Sequence, residues 1–306
     1  MYPEAERLGV AWRVADCGAE IVDCGIDVPG SPEAGRLFAL ACLGGSAGVT
    51  LSAATLEGRW TPSVKVRVGE PVRSCLASQY AGWMIKDGES GYFAMGSGPA
   101  RALYRGEALF REIGCVEESD AGLIALEARS SPPESVLRHI ASCCRVEPEK
   151  LMVLIAPTAS IVGSVQVAAR VVETGLHKLH TLGFDVSRVL AGWGEAPIAP
   201  VASDDGRAIG RTNDAILYGG RVWYTVDCGD EQITGILPKL PACCSADYGT
   251  PFYELLARAS WDFYQIDPML FSPAEVTVNN IRSGRTFTAG RMNEALLAEQ
   301  WFGADA

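Results

Sequence analysis

The sequence predicts a mixed α/β fold, with α+β character in places, built as two interleaved domains. Three observations carry this. Apolar strand-like runs alternate with helix-like segments along the chain, helix-start signals follow the strands, and no repeat or low-complexity tract interrupts the pattern. The 306 residues are enough for about two domains, and 48% hydrophobic content suits packed cores. The charged, proline-containing stretch Glu147 to Lys150 is the natural midpoint, giving expected domains of 1–150 and 151–306, with the chain able to cross between them.

AEIVDCGIDVP, from Ala19, reads as a strand running into a turn. Ser31, Pro32 and Glu33 then supply an N-cap, a proline at the first helical position and an early acid ahead of Leu37, Phe38 and Cys42. The same signals predict a strand over Tyr92 to Met95, a helix from Pro99 to about Glu112, a strand over Ala121 to Leu126 and a helix from Pro133 to Cys143. LMVLIA, from Leu151, starts a second set. Asp-Cys-Gly recurs at Asp16, Asp23 and Asp227 after apolar runs, a weak hint of a repeated strand end.

The segment Ala156 to Leu179 reads as a buried helix, apolar nearly all round. At about 100° per residue, Gln166, Arg170, Glu173 and His177 fall within roughly 40° of one direction, a single polar line. An Arg-x-x-Glu pair is ordinarily a solvated salt bridge worth a few tenths of a kcal/mol. Here Arg precedes Glu, against the order that complements a helix dipole, in a segment too apolar for a surface helix. A structural pair and a functional one both remain open on these grounds.

Net charge is −11, with no run of Lys or Arg to track a phosphate backbone, so nucleic acid is not an expected partner. No apolar stretch approaches the ~20 residues needed to cross a bilayer. MYPEAERLGVAWR has acids before its first basic residue and no apolar run after it, unlike a secretory signal. The ten cysteines are scattered, with doublets at Cys143/Cys144 and Cys243/Cys244, which suits reduced thiols in a cytoplasmic protein. There is no Cys-x-x-Cys. Glu173, His177 and His180 share a helix face and could be read as a metal triplet, or as hydrogen-bonded interior histidines beside an acid.

Two glycine-rich segments are candidate binding elements. Gly96, Ser97 and Gly98 precede Pro99 and Arg101, a turn expected to expose backbone N–H groups at a helix start, or an ordinary tight turn. From Gly192 to Gly220, three glycine and proline clusters separate Glu195, Asp204, Asp205, Arg211, Asn213 and Asp214, expected as polar loops forming a binding wall. The plainer alternative is a solvated turn at Asp204 and a helix cap at Thr212 to Asp214.

The strings DCGIDVPGSPEAGRLFA, SQYAGW, YFAMGSGPARAL, APTASIVGSVQVAARVVETGLHKL, APIAPVASDDGRAIGRTNDAILYGG, DYGTPFYELL and IDPMLFSPAEVTVNN span nearly the whole chain. In sequence and order they resemble the methenyltetrahydromethanopterin cyclohydrolases. The resemblance implies hydrolysis of the methenyl cation of that pterin, or its dephospho analogue, to the 5-formyl compound, without metal or redox cofactor. It implies a homotrimer of two-domain subunits with the pterin in a cleft, serving formaldehyde oxidation or methanogenesis. It also implies catalytic roles for Arg170 and Glu173. Gln166, Gly96, Ser97, Gly98, Arg101, Asp204, Asp205, Arg211, Asn213 and Asp214 are the expected pterin-binding residues, with Arg36 and Arg101 expected either in a basic patch for an anionic tail or as solvated surface residues. Two alternatives stand beside this reading: a metal-dependent hydrolase and a non-catalytic pterin carrier.

Overall fold

The computed structural model describes residues 4–303, without the side chain of Tyr264; the outer ends of the two expected domains, 1–3 and 304–306, lie outside the described residues. In chain order the elements are α1 (Ala5–Leu8), β1 (Ala11–Val14), β2 (Glu20–Asp23), α2 (Pro32–Cys42), β3 (Gly48–Leu56), β4 (Arg59–Val68) and a π-helical segment, Val72–Gln79. There follow β5 (Trp83–Asp87), β6 (Tyr92–Ser97), α3 (Ala100–Tyr104), α4 (Leu109–Ile113), β7 (Gly122–Glu127), α5 (Glu134–Cys144), β8 (Leu151–Ala156) and α6 (Ile161–Ala168). The rest comprises α7 (Val171–Thr181), β9 (Val189–Pro197), α8 (Asp205–Gly219), β10 (Arg221–Val226), α9 (Asp230–Ile236), α10 (Phe252–Arg258), β11 (Glu275–Asn280), β12 (Thr286–Gly290) and α11 (Glu294–Phe302).

These elements form two compact units, each with a six-stranded mixed sheet, so the mixed α/β class stands. The first unit runs to Ala47 and resumes over Arg73–Gln166; the second takes Gly48–Val72 and the chain from Val167 onward. The division therefore does not fall at 150/151. β8 pairs in parallel with both β2 and β7, so it sits inside the first sheet instead of opening a second set. Hydrogen bonding on both strand edges outweighs the local charge of Glu147 to Lys150, which ends as a 3₁₀ turn over Pro148–Lys150.

In the first unit the strand order is β1-β2-β8-β7-β6-β5, with β2, β8 and β7 parallel. Successive side chains point to opposite faces, and here both faces are covered. Ile21, Ile124, Leu126, Val153 and Ile155 pack with Val136, Leu137 and Ile140 of α5, whereas Val22, Ala125, Leu154 and Ala156 pack with Ala34, Phe38 and Cys42 of α2. That double burial is why LMVLIA is apolar at every position. α2 begins as its sequence signals require, with Ser31 Oγ accepting from Ala34 N at 3.1 Å.

The expected helix from Pro99 to Glu112 is two short helices. Arg105 adopts the left-handed conformation (φ 53°) that closes α3, and α4 restarts at Leu109.

In the second unit the order is β12-β11-β10-β9-β4-β3, antiparallel except for the β10–β11 pair. Its strands alternate more cleanly: in β10, Val222, Tyr224 and Val226 are buried while Arg221 and Trp223 are exposed. Of the expected loop wall from Gly192 to Gly220 only 198–204 is a loop; the rest is the end of β9 and the whole of α8. Asp204 caps α8 through Arg207 N at 2.9 Å, and the three-to-four periodicity of Ala208, Thr212, Ala215 and Ile216 buries one helix face. Thr212 to Asp214 lies in mid-helix and does not cap its own helix, although the Asp214 carboxylate accepts from Phe252 N at the start of α10.

Candidate active site

The best-defined polar feature of the second unit is at the start of α7. This helix approaches its sheet closely because glycines face it: a Cβ on Gly192 or Gly194 would lie 2.7 Å from Val172 Cγ1 or Val171 Cγ1. Gly175 does the same from the helix side, its absent Cβ lying 2.4 Å from Tyr224 Oη. The Tyr224 hydroxyl donates to the Val172 carbonyl at 2.6 Å, fixing the first turn of α7 to β10.

The single helix expected from Ala156 to Leu179 is broken. After β8 and the turn Pro157–Ser160, α6 ends at Ala168, Arg170 N donates back to Val167 O at 2.9 Å, and α7 starts with Arg170 as its N-cap residue (φ −80°, ψ 0°). The four-residue polar line therefore does not lie along one continuous helix. The break has a consequence for charge: Glu173 becomes the third residue of a new helix, where an acid complements the positive dipole end. Arg170 and Glu173 are both buried, 9% and 5% exposed, so this is no surface pair. Arg170 Nη1 and Glu173 Oε2 are 3.9 Å apart, close enough for strong charge coupling in a poorly solvated setting but beyond hydrogen-bond length. A carboxylate held this way is suited to orient a small polar molecule and take its proton.

A second carboxylate stands in the first unit, at the carboxyl ends of the parallel strands where ligands of α/β sheets commonly bind. Glu127, the last residue of β7, accepts from the Thr158 hydroxyl on one oxygen and from Gln166 Nε2 at 3.3 Å on the other. Thr158 and Gln166 are each only 3% exposed. Their two neutral donors orient the carboxylate and leave lone pairs for N–H donors of a ligand. Neither Glu127 nor Thr158 was evident from sequence. The available signal was an acid ending a buried apolar strand, one residue beyond the expected end at Leu126.

The other sequence-predicted residues divide by environment. Gly96, Ser97 and Gly98 are buried; Gly96 and Ser97 belong to the β6 ladder, and Gly98 (φ 102°) donates to Ser78 O at 2.7 Å, so this turn does not present the expected exposed N–H groups. Arg101 is wholly buried and committed to the fold. Its Nε and Nη2 bind the Glu107 carboxylate at 2.9 and 2.6 Å, and Nη1 reaches the carbonyls of Leu76, Ala77 and Ser78 at the end of the π-helical segment. A guanidinium so occupied serves the packing of this segment, not a coenzyme tail. Arg36 pairs with Glu33 on its own helix at 2.7 Å.

Asp204 is the exposed cap of α8, and Asp205 stands in its first turn. Arg211 and Asn213 are half-buried along the helix, the latter donating to Ile209 O at 2.9 Å. Asp214 is buried and accepts from Phe252 N at 2.9 Å, and desolvation pushes its pKa up to about 7. Asp204 and Asp214 thus have structural partners.

Burial, followed by the neighbouring charge of His180, lowers the His177 pKa to about 4. Among the described residues no three of His, Cys, Asp and Glu converge as a metal ligand set, so Glu173, His177 and His180 do not form the triplet that their spacing suggested. No helix among the described residues is long and apolar enough to cross a membrane.

Known proteins place this architecture. The family model described as Cyclohydrolase (MCH) matches residues 1–301, which defines the class of protein: a hydrolase of the cyclohydrolase type. Proteins named methenyltetrahydromethanopterin cyclohydrolase are 45% identical in Methylobacterium organophilum over 97% of this chain and 92% of theirs, and 44% identical in Methanocaldococcus jannaschii over 97% and 93%. The relative of that name in Methanococcoides burtonii is 41% identical over 97% of this chain and 92% of its own. The chain belongs to the methenyltetrahydromethanopterin cyclohydrolase family.

Proposed function

We propose that the protein hydrolyses 5,10-methenyltetrahydromethanopterin, or its dephospho analogue, to the 5-formyl compound, with Glu173 positioning the attacking water. The observation that carries this is the buried Arg170–Glu173 pair at the start of α7, in a chain of this family. The methenyl carbon of an amidinium-type cation is already electrophilic. What it needs is a water held beside it and a group to take the water's proton. Glu173 accepts that proton as the C–O bond forms. The tetrahedral adduct then collapses by breaking the C–N10 bond, N10 is protonated, and one proton is released overall. Arg170 holds the carboxylate in place. No step calls for electron transfer or for a metal to polarise the carbon, which supports a cofactor-free reaction. Ten free thiols support a reducing, cytoplasmic setting, and the family resemblance supports a homotrimer.

The test is turnover of methenyltetrahydromethanopterin by wild type and Glu173→Gln, followed by ultraviolet absorbance with methenyltetrahydrofolate and a chelator in parallel. The expected result is chelator-insensitive wild-type activity that falls at least 10²-fold in the folded variant, the usual range for loss of general acid–base catalysis. Full activity in Glu173→Gln would refute the role. Binding without acceleration by wild type would make the protein a carrier, and sedimentation of the same samples reads the trimer.

A further inference from the structure

Behind the start of α7 the same helix carries a buried amine beside a thiol, neither of which the hydrolysis uses. Lys178 is 1% exposed. Its Nζ donates to the Met269 carbonyl and lies 3.7 Å from Cys244 Sγ. Cys244 ends the short turn Ala242–Cys244, is only partly buried, and directs its thiol at the Lys239 carbonyl at 3.1 Å. The nearest carboxylate that acts on Lys178, Asp267, is held by Ser245 Oγ at 2.6 Å and Met269 N at 2.9 Å. The amine is therefore desolvated without a carboxylate hydrogen bond of its own in this cluster. Desolvation lowers its pKa and so raises the share of neutral amine with a free lone pair. A hidden nucleophilic nitrogen is thus fixed within one side-chain adjustment of a sulfur that small oxidants can reach.

We propose that Lys178 and Cys244 form a reversible covalent cross-link through one bridging oxygen, Nζ–O–Sγ, with dioxygen as the oxidant. Dioxygen adds to the thiol, forming an S–O bond and a sulfur hydroperoxide. The neutral amine attacks the sulfur-bound oxygen, so that the N–O bond forms as the O–O bond breaks. The distal oxygen departs as water, taking the two hydrogens that sulfur and nitrogen have given up. Sulfur and nitrogen are each oxidised by two electrons, and dioxygen is reduced by four. A thiol reductant reverses the bridge with four electrons: two break the S–O bond to return the Cys244 thiol and leave the oxygen on nitrogen, and two more break the N–O bond, releasing the oxygen as water and returning the amine. The link ties α7, which also bears Glu173, to the turns at 242–244 and 268–270, making this helix the part of the unit that senses oxygen.

The experiment uses the full chain, held in air-saturated or anaerobic buffer and digested without reductant for mass spectrometry. The expected product is a pair of joined peptides containing Lys178 and Cys244, heavier than their sum by one oxygen less two hydrogens. It carries heavy oxygen when labelled dioxygen is supplied, separates with dithiothreitol, and is absent anaerobically and from Lys178→Arg and Cys244→Ser. Recovery of Cys244 after aerobic exposure only as thiol, as sulfur oxyacids or in a disulfide with Cys243, with the Lys178 peptide unmodified, overturns the proposal. That reading comes from wild type and does not depend on either variant folding.

Discussion

Gly175→Ala tests how the active pair is held in place. The new Cβ would lie 2.4 Å from Tyr224 Oη, about 1 Å inside ordinary contact, so either the tyrosine swings away or α7 lifts from the sheet. The first response breaks the 2.6 Å bond to the Val172 carbonyl; the second carries Glu173 with it. Alanine gains about 1 kcal/mol of helix propensity over glycine. Against that, overpacking costs about 1–3 kcal/mol, and an unpaired buried carbonyl about 1–3 kcal/mol. The protein takes the less costly of the two responses, which leaves a net loss of roughly 0–2 kcal/mol in stability. A displacement on the order of 1 Å is also enough to lower turnover about 10²-fold. Urea midpoints and absorbance-monitored turnover read the two effects separately. Tyr224→Phe removes the clashing oxygen, leaving Cζ 3.2 Å away, so it is expected to restore much of the loss when combined with Gly175→Ala. Strictly additive effects in that cycle, or a Gly175→Ala protein more stable and as active as wild type, would refute the close-packing argument.

Other substitutions probe the reassigned residues. Arg101→Met leaves Glu107 without its buried cation and is expected to cost about 3–5 kcal/mol in denaturant unfolding, chiefly as stability. Asp204→Ala removes the α8 cap; a loss of about 1 kcal/mol with unchanged KM is expected, and a large rise in KM would return Asp204 to pterin binding. The folded-state pKa of Asp214 is raised from 3.8 to about 7, so its stabilising contribution is complete below pH 4 and lost as pH rises through 7. The stability of Asp214→Asn relative to wild type is therefore expected to increase between pH 5 and pH 8, and a pH-independent difference would contradict the assignment. His177 has the opposite sign. With its pKa lowered from 6.5 to about 4, it contributes stability above pH 6.5 that is lost as pH falls toward 4, and His177→Gln is expected to flatten unfolding curves in that window.

Much of this protein is determined by local sequence. The Ser31-Pro32-Glu33 signal starts α2 where it should because a cap needs only the next few residues. The doubly apolar LMVLIA run could only be a strand or helix buried on all sides, and the Arg170–Glu173 spacing brings the two side chains to one helix end. What the sequence could not decide depends on partners far along the chain. Whether β8 opens a second domain or completes the first is settled by its pairing with β2 and β7. Glu127 meets Gln166 across 39 positions, and Arg101 closes on carbonyls more than 20 positions before it, so one became part of a polar cluster and the other a strut. The break at Ala169–Arg170 carries no glycine or proline to announce it. It is set by the close fit of Val171, Val172 and Gly175 against β9 and β10, because packing at contact distance outweighs the small propensity differences that a helix reading relies on.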